Sequence, residues 1–163
     1  MKQQRALNPQ HVEIVKNAIS TAPYMAYLGM RATKLDVGIC TLEVELNPNH
    51  LHAYGSIHGG VYASVIDTVC YWAAYCAMEE DDGFLSADLN VTNLSSITKG
   101  KLFVEGRVIK QGKTMTLTEG EVRDESGRLL AHGTSKLLVH PKLLSAKEGL
   151  SVHGIHDLPP KFL

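Results

Sequence analysis

The chain has 163 residues, 44% hydrophobic and 20% charged; this is enough for one domain with a sizeable core and too apolar for a disordered segment. A net charge of −1 with histidine neutral, without any dense basic stripe, excludes an electrostatic footprint for nucleic acid and leaves self-association unopposed. The polar N-terminus, MKQQRALNPQ, lacks the apolar core of a secretory signal, and Cys40, Cys70 and Cys76 lack metal or redox spacing, so a reducing, cytoplasmic setting is expected.

Residues 9–21, PQHVEIVKNAIST, place Val12, Ile14, Val15 and Ile19 at helical spacing behind a first-turn proline. The stretch APYMAYLGM reads as a loop or a short helical turn. MRATKLDVGICTLEVEL predicts two strands around a turn at Asp36–Gly38, the second alternating Cys40, Leu42, Val44 and Leu46 with polar residues. NPNHLHAYGSIHGG is a loop, in which His50 is read as solvated. A helix over about 59–79 follows, ended by the acidic run EEDDG. It is apolar nearly all round, which in a soluble protein means enclosure on its sides. A membrane span would need about 20 apolar residues and would carry Asp67 at a cost of roughly 2.5–3.5 kcal/mol, so no membrane is expected.

Four strands are then predicted within 84–96, 100–111, 114–124 and 128–141, the last stopped by Pro141, and their short, regular spacing argues an antiparallel meander. The tail over 142–163 carries Leu143, Leu144, Leu150 and Phe162, and either docks or stays loose. Three parts follow: an N-terminal helical segment over 1–24, a domain over 25–141 and the tail. The architecture is α+β, a long central helix against a curved antiparallel sheet, with the remaining helix face left for another surface such as a second subunit.

Two features of the helix carry chemistry. At its start, Gly59 and Gly60 bare the backbone where the first N–H groups have no intrahelical partner and the dipole is positive. Such an end can polarise a carbonyl, although a Gly-Gly pair also serves a tight turn. In its interior, Asp67 is costly to bury unless it is paired, with Ser64, Thr68 or backbone as possible partners, or functional as a base or nucleophile. Asp67 lies eight residues beyond Gly59, about 12 Å along a helix. One helix therefore cannot bring both groups to one reacting bond, and a shared role requires a two-fold dimer with composite sites.

GSIHGGVYASVIDTV followed by SADLNVTNLSS resembles the hotdog-fold acyl-CoA thioesterases of the phenylacetate-pathway (PaaI-like) type, within the 4-hydroxybenzoyl-CoA thioesterase superfamily. Gly55, His58, Gly59, Gly60 and Asp67 match that family's loop and helix pattern in order and spacing, and the resemblance runs over roughly residues 25–140. It implies a homodimer, often paired into a homotetramer, that hydrolyses an acyl-CoA substrate. The Gly59 N–H would polarise the thioester carbonyl, and Asp67 of the opposite subunit would activate water or attack. Ser86 would orient the water, while Gly55, His58 and Gly60 would line the substrate loop. His52 stands where the family has asparagine, and its imidazole can also donate to a carbonyl. No metal or organic cofactor is expected; His153 and His156 lack a third ligand. Lys99, Lys101, Arg107, Lys110, Lys113 and Arg128 are available for CoA phosphates, with no choice among them. An acyl-thioester hydratase or dehydratase, and a non-catalytic acyl-CoA-binding protein, remain as alternatives on this fold.

Overall fold

The computed structural model describes residues 5–79, 83–140 and 142–163. The acidic run at 80–82, the first four residues and Pro141 lie outside these. The elements in chain order are α1 (Pro9–Thr21), α2 (Pro23–Tyr27), β1 (Met30–Asp36), β2 (Ile39–Glu45), a single 3-10 turn (Pro48–His50), α3 (Gly59–Ala77), β3 (Phe84–Asn93), β4 (Lys101–Gln111), β5 (Met115–Arg123), β6 (Leu129–Val139) and α4 (Ala146–Val152). One antiparallel sheet with the order β1-β2-β4-β5-β6-β3 curves around α3. This is the hotdog arrangement. No helix among the described residues is long and apolar enough to cross a membrane.

The simple meander is corrected here. β4, β5 and β6 follow one another in space, but β3 pairs with β6 at the far edge, and β2 pairs directly with β4. The segment 94–100 makes the crossing. Leu94 and Ser95 donate to the Leu130 carbonyl at one end, and Gly100 accepts from the Leu46 N–H at the other. Midway, the Ile97 carbonyl accepts from the Ile57 N–H, so the crossing passes beside the entry to α3.

α3 sits so close to the sheet that three side chains are omitted beneath it. Gly106, Gly120 and Gly133 are in register on β4, β5 and β6. A Cβ on Gly106 would stand 2.5 Å from the Val69 carbonyl oxygen, and one on Gly120 would stand 3.1 Å from Ile66 Cγ2. At Gly133 the same atom would lie 2.6 Å from the Asn90 carbonyl oxygen. Val65, Ile66, Val69, Cys70 and Ala73 fill this contact and are fully buried. Burial pushes the Cys70 thiol up to about 11, as expected of a cysteine acting as a core hydrophobe.

The ends of the chain close over the helix. α1 is capped by the Asn8 side chain and turns His11, Val15 and Ile19 inward. The tail docks on its own chain: Leu7 bridges Phe162, and Lys161 is 0% exposed. The Lys161 ammonium donates to the carbonyls of Tyr75 at 3.0 Å, Met78 at 2.9 Å and Glu79 at 3.1 Å, and lies 4.0 Å from the Tyr75 ring centroid. A cation thus satisfies the carbonyls left over at the negative end of the α3 dipole. His11 joins the same cluster, its Nδ1–H donating to the Pro159 carbonyl at 2.7 Å and its Nε2 accepting from the Tyr75 hydroxyl at 2.5 Å.

Because the Gly106 contact is with helix backbone, no rotamer change relieves it. Gly106→Ala is expected to cost about 2–3 kcal/mol, read as a lower midpoint in denaturant unfolding; an unchanged midpoint would contradict the close contact.

Candidate active site

The loop before α3 is folded on itself rather than irregular. Asn47 caps the 3-10 turn and His50 returns the interaction, its Nδ1 accepting from the Asn47 N–H at 3.2 Å. Contrary to the solvated reading, His50 is 0% exposed. Its Nε2 has no hydrogen bond among the described residues, and burial lowers its pKa, partly offset by the nearby Leu28 carbonyl. Its carbonyl accepts from the His58 N–H at 2.8 Å, which fixes the entry to the helix. Beyond it, Leu51 bridges Ile57, His52 N–H donates to the Ser56 carbonyl, and Gly55 makes the turn at φ +80°. Only glycine adopts that conformation readily.

His52 sits half-buried in this turn. Its Nδ1 accepts from the Tyr54 N–H at 3.0 Å, so the neutral ring carries its proton on Nε2, as a donor. His58 does something else: it is the N-cap of α3, with Nδ1 accepting from the Gly60 N–H at 2.8 Å. The Gly60 N–H is thereby used, and the Val61 N–H donates to the His58 carbonyl at 2.9 Å. The Gly59 N–H has no acceptor among the described residues, at the positive end of a 19-residue helix.

Asp67 lies two turns further on, and its partner is neither Ser64 nor Thr68. Those hydroxyls donate back to the Gly60 and Ser64 carbonyls. Asp67 Oδ1 instead accepts from the Ser86 hydroxyl of β3 at 2.9 Å. The helix is not enclosed on all sides. Gly60 is exposed, and Ala63, Ser64, Asp67 and Tyr71 form a half-buried stripe at the margin of the sheet contact. Tyr71, one turn past the acid, has its phenol pKa raised first by burial and then by the Asp67 charge. The structure therefore brings Asp67 together with Ser86, and His58 with Gly60. It leaves Gly59 at the other end of the stripe from Asp67.

Two further residues lie near these groups, and of them Asn93 carried no signal in the sequence. A Cβ on Gly59 would lie 2.6 Å from the Asn93 amide nitrogen, so the end of β3 covers the helix start. Tyr71 stacks on Phe84, with centroids 4.4 Å apart, and builds an aromatic wall beside the acid. Both placements depend on β3 lying over α3. Of the candidate cations, Arg107, Arg128 and Lys101 are ion-paired with Glu119, Asp124 and Glu43. Lys99, Lys110 and Lys113 have no ion-pair partner among the described residues.

The fold places the chain among the hotdog proteins, and known relatives narrow that class to thioesterases. The sequence profile of the Thioesterase superfamily matches residues 54–131, from the loop through β5 into β6. Human acyl-coenzyme A thioesterase 13 is 33% identical over 97 residues, covering 58% of this chain and 67% of that protein. The proofreading thioesterase EntH of Klebsiella pneumoniae is 30% identical over 112 residues, covering 69% and 82%. A thioesterase family protein from Silicibacter pomeroyi superposes with a TM-score of 0.71 at 27% identity, over 80% of this chain and 96% of that one. A Haemophilus influenzae thioesterase shares the fold at a TM-score of 0.73 and 19% identity, over 79% and 90%. The chain belongs to the thioesterase superfamily, a family of thioester hydrolases.

His58→Ala removes the side-chain cap of α3 and should lower stability by about 1 kcal/mol. His58→Asn, which can also cap, should recover most of that loss in thermal unfolding. Equal losses for both variants would deny the cap.

Proposed function

We propose that the protein hydrolyses acyl-CoA thioesters to free acid and CoA in a site shared by two copies of the chain. The carrying observation is the half-buried Asp67–Ser86 pair on a helix whose own Gly59 N–H, without an acceptor among the described residues, is about 12 Å away along the axis. The activity for which the human relative is named supports acyl-CoA as the substrate class. Two surface features support the dimer: the half-buried stripe of α3 and the outer edge of β3, a ten-residue strand at the end of the sheet with no strand beyond it among the described residues. Antiparallel pairing across that edge sets each Asp67 toward the partner's helix start. Two such dimers can assemble further into a tetramer.

In the reaction, the Gly59 N–H donates to the thioester oxygen, and its bond strengthens as that oxygen gains charge. The Ser86 hydroxyl holds one Asp67 oxygen and leaves the other for water. Asp67 takes a proton as the water oxygen attacks the carbonyl carbon. The tetrahedral oxyanion collapses, the C–S bond breaks, and the departing thiolate receives the proton from Asp67. The same carboxylate can attack the carbonyl directly, breaking the C–S bond and expelling the CoA thiolate to leave an acyl-aspartate; water then opens it and its released proton goes to the thiolate. His52 Nε2–H is the second donor to the carbonyl, in the place of the family's asparagine. A hydratase would use a His–acid pair, and neither His52 nor His58 hydrogen-bonds Asp67 within one chain; both use Nδ1 on backbone N–H groups.

Asp67→Asn and Gly59→Pro are each expected to abolish CoA release while keeping the fold, since proline removes the Gly59 N–H, suits the first position of a helix after the extended His58, and meets the Asn93 side chain at its far end. Mixed and reassembled, the two inactive proteins should regain about a quarter of wild-type activity, because half the dimers are mixed and each of those has one intact site. A site contained in one chain would give no recovery. No thiol release from any acyl-CoA, with tight binding, would favour the non-catalytic reading, and a 3-hydroxyacyl product from an enoyl-CoA the hydratase. For His52→Ala, steady-state kinetics should show kcat falling about 10-fold or more with a smaller change in KM; an unchanged kcat removes His52 from the site.

A further inference from the structure

A cavity of about 870 Å³ opens between α1, α2, the second half of α3 and the segment around α4. Its floor is Tyr71 and Trp72 of α3 with Phe84 of β3, and its lining also includes Met25, Leu144 and Gly149. Two of its lining residues neighbour the proposed site. Tyr71 lies one turn, about 6 Å, beyond Asp67 on the same stripe, and Phe84 lies two residues before Ser86, on the same face of β3. Among the described residues, the only cationic or imidazole groups in the lining are Lys142 and His153, both exposed. Such a lining fits a hydrocarbon and not the phosphates of CoA. The volume is near the top of the roughly 300–1,000 Å³ range of pockets that bury drug-sized ligands, far more than an acetyl group fills. α1, α2 and α4 all lie outside residues 54–131, so these walls stand apart from the segment that the family profile matches.

We propose that the terminal segments build an acyl pocket for a medium- to long-chain fatty acyl group, and that Gly149 sets its depth. The proposal rests on the thioesterase reading for its substrate. Gly149 is half-buried in α4, and a Cβ there would meet nothing within 4 Å, so a side chain at this position enters open space without a clash. Trp72 is the only tryptophan in the chain and forms part of the floor, so its emission reports occupancy directly.

The test compares dodecanoyl-CoA with acetyl-CoA in wild-type protein, Gly149→Phe and Gly149→Ala. Wild type should have the higher kcat/KM for dodecanoyl-CoA. The dodecanoyl-to-acetyl ratio should fall about tenfold or more in Gly149→Phe, and less in Gly149→Ala, whose alanine also favours the helix. A wild-type preference for acetyl-CoA, or an unchanged ratio in both variants, overturns the proposal. If no acyl-CoA is hydrolysed, the thioesterase reading fails by itself. Titration of Trp72 emission with dodecanoate then decides the pocket: a saturable change weakened by the Gly149 substitutions supports it, and no change overturns it.

Discussion

The contact between the backbone of α3 and the glycine row of the sheet is the constraint from which the rest of the site follows. Gly106, Gly120 and Gly133 leave no side chains between helix and strands, so Ile66, Val69 and Cys70 press directly on the sheet. This fixes the rotation of the helix as well as its height. With Ile66 pointed at the sheet, the next residue is turned by about 100°, which sets Asp67 at the margin of the contact and not within it. There the carboxylate is half-buried, reachable by the Ser86 hydroxyl, and spared the full cost of an unpaired charge in the core.

The two ends of the same helix are treated differently. At the C-terminal end, Lys161 arrives from the far end of the sequence and fills the carbonyl sites, while His11 and Tyr75 tie the tail to α1. At the N-terminal end, His58 satisfies one N–H and leaves the Gly59 N–H without an acceptor among the described residues. The positive end of the dipole is therefore ordered but not neutralised. A preformed donor that needs no rearrangement is what a developing oxyanion requires. The buried His50 contributes by holding the backbone of His58, which enters the helix directly before Gly59.

Local pattern is enough to read every strand and both longer helices from the sequence, because period-2 and period-3.6 alternation survive in the residues themselves. Asp67 and the Gly-Gly pair are legible because each contradicts its surroundings. Strand order is not: β3 and β4 are neighbours in sequence, yet a short crossing carries β4 to the opposite side of the helix, and no residue in 94–100 announces it. The glycine row is hidden for a related reason, since Gly106, Gly120 and Gly133 become one feature only when three strands are placed in register. His50 reads as solvated, and His11 and Lys161 give no signal, because hydropathy cannot register a polar side chain that is buried with its partners. The docking of the tail depends on those partners and is equally out of reach.

The half-buried stripe joins these observations. It runs from Gly60 through Ala63 and Ser64 to Asp67 and Tyr71, small at the end nearest the free N–H and aromatic at the end nearest the cavity. Small side chains leave room for another backbone to approach, which is what the proposed composite site needs on the side of Gly59. Aromatic side chains supply broad apolar surface, which is what a hydrocarbon needs on the side of Phe84. The acid stands where the two meet. In that composite site a thioester carbonyl held beside Asp67 would send its acyl chain toward Tyr71 and Phe84, away from the small end of the stripe. The order of residues along a single helix face therefore gives the substrate a direction before any ligand contact is considered.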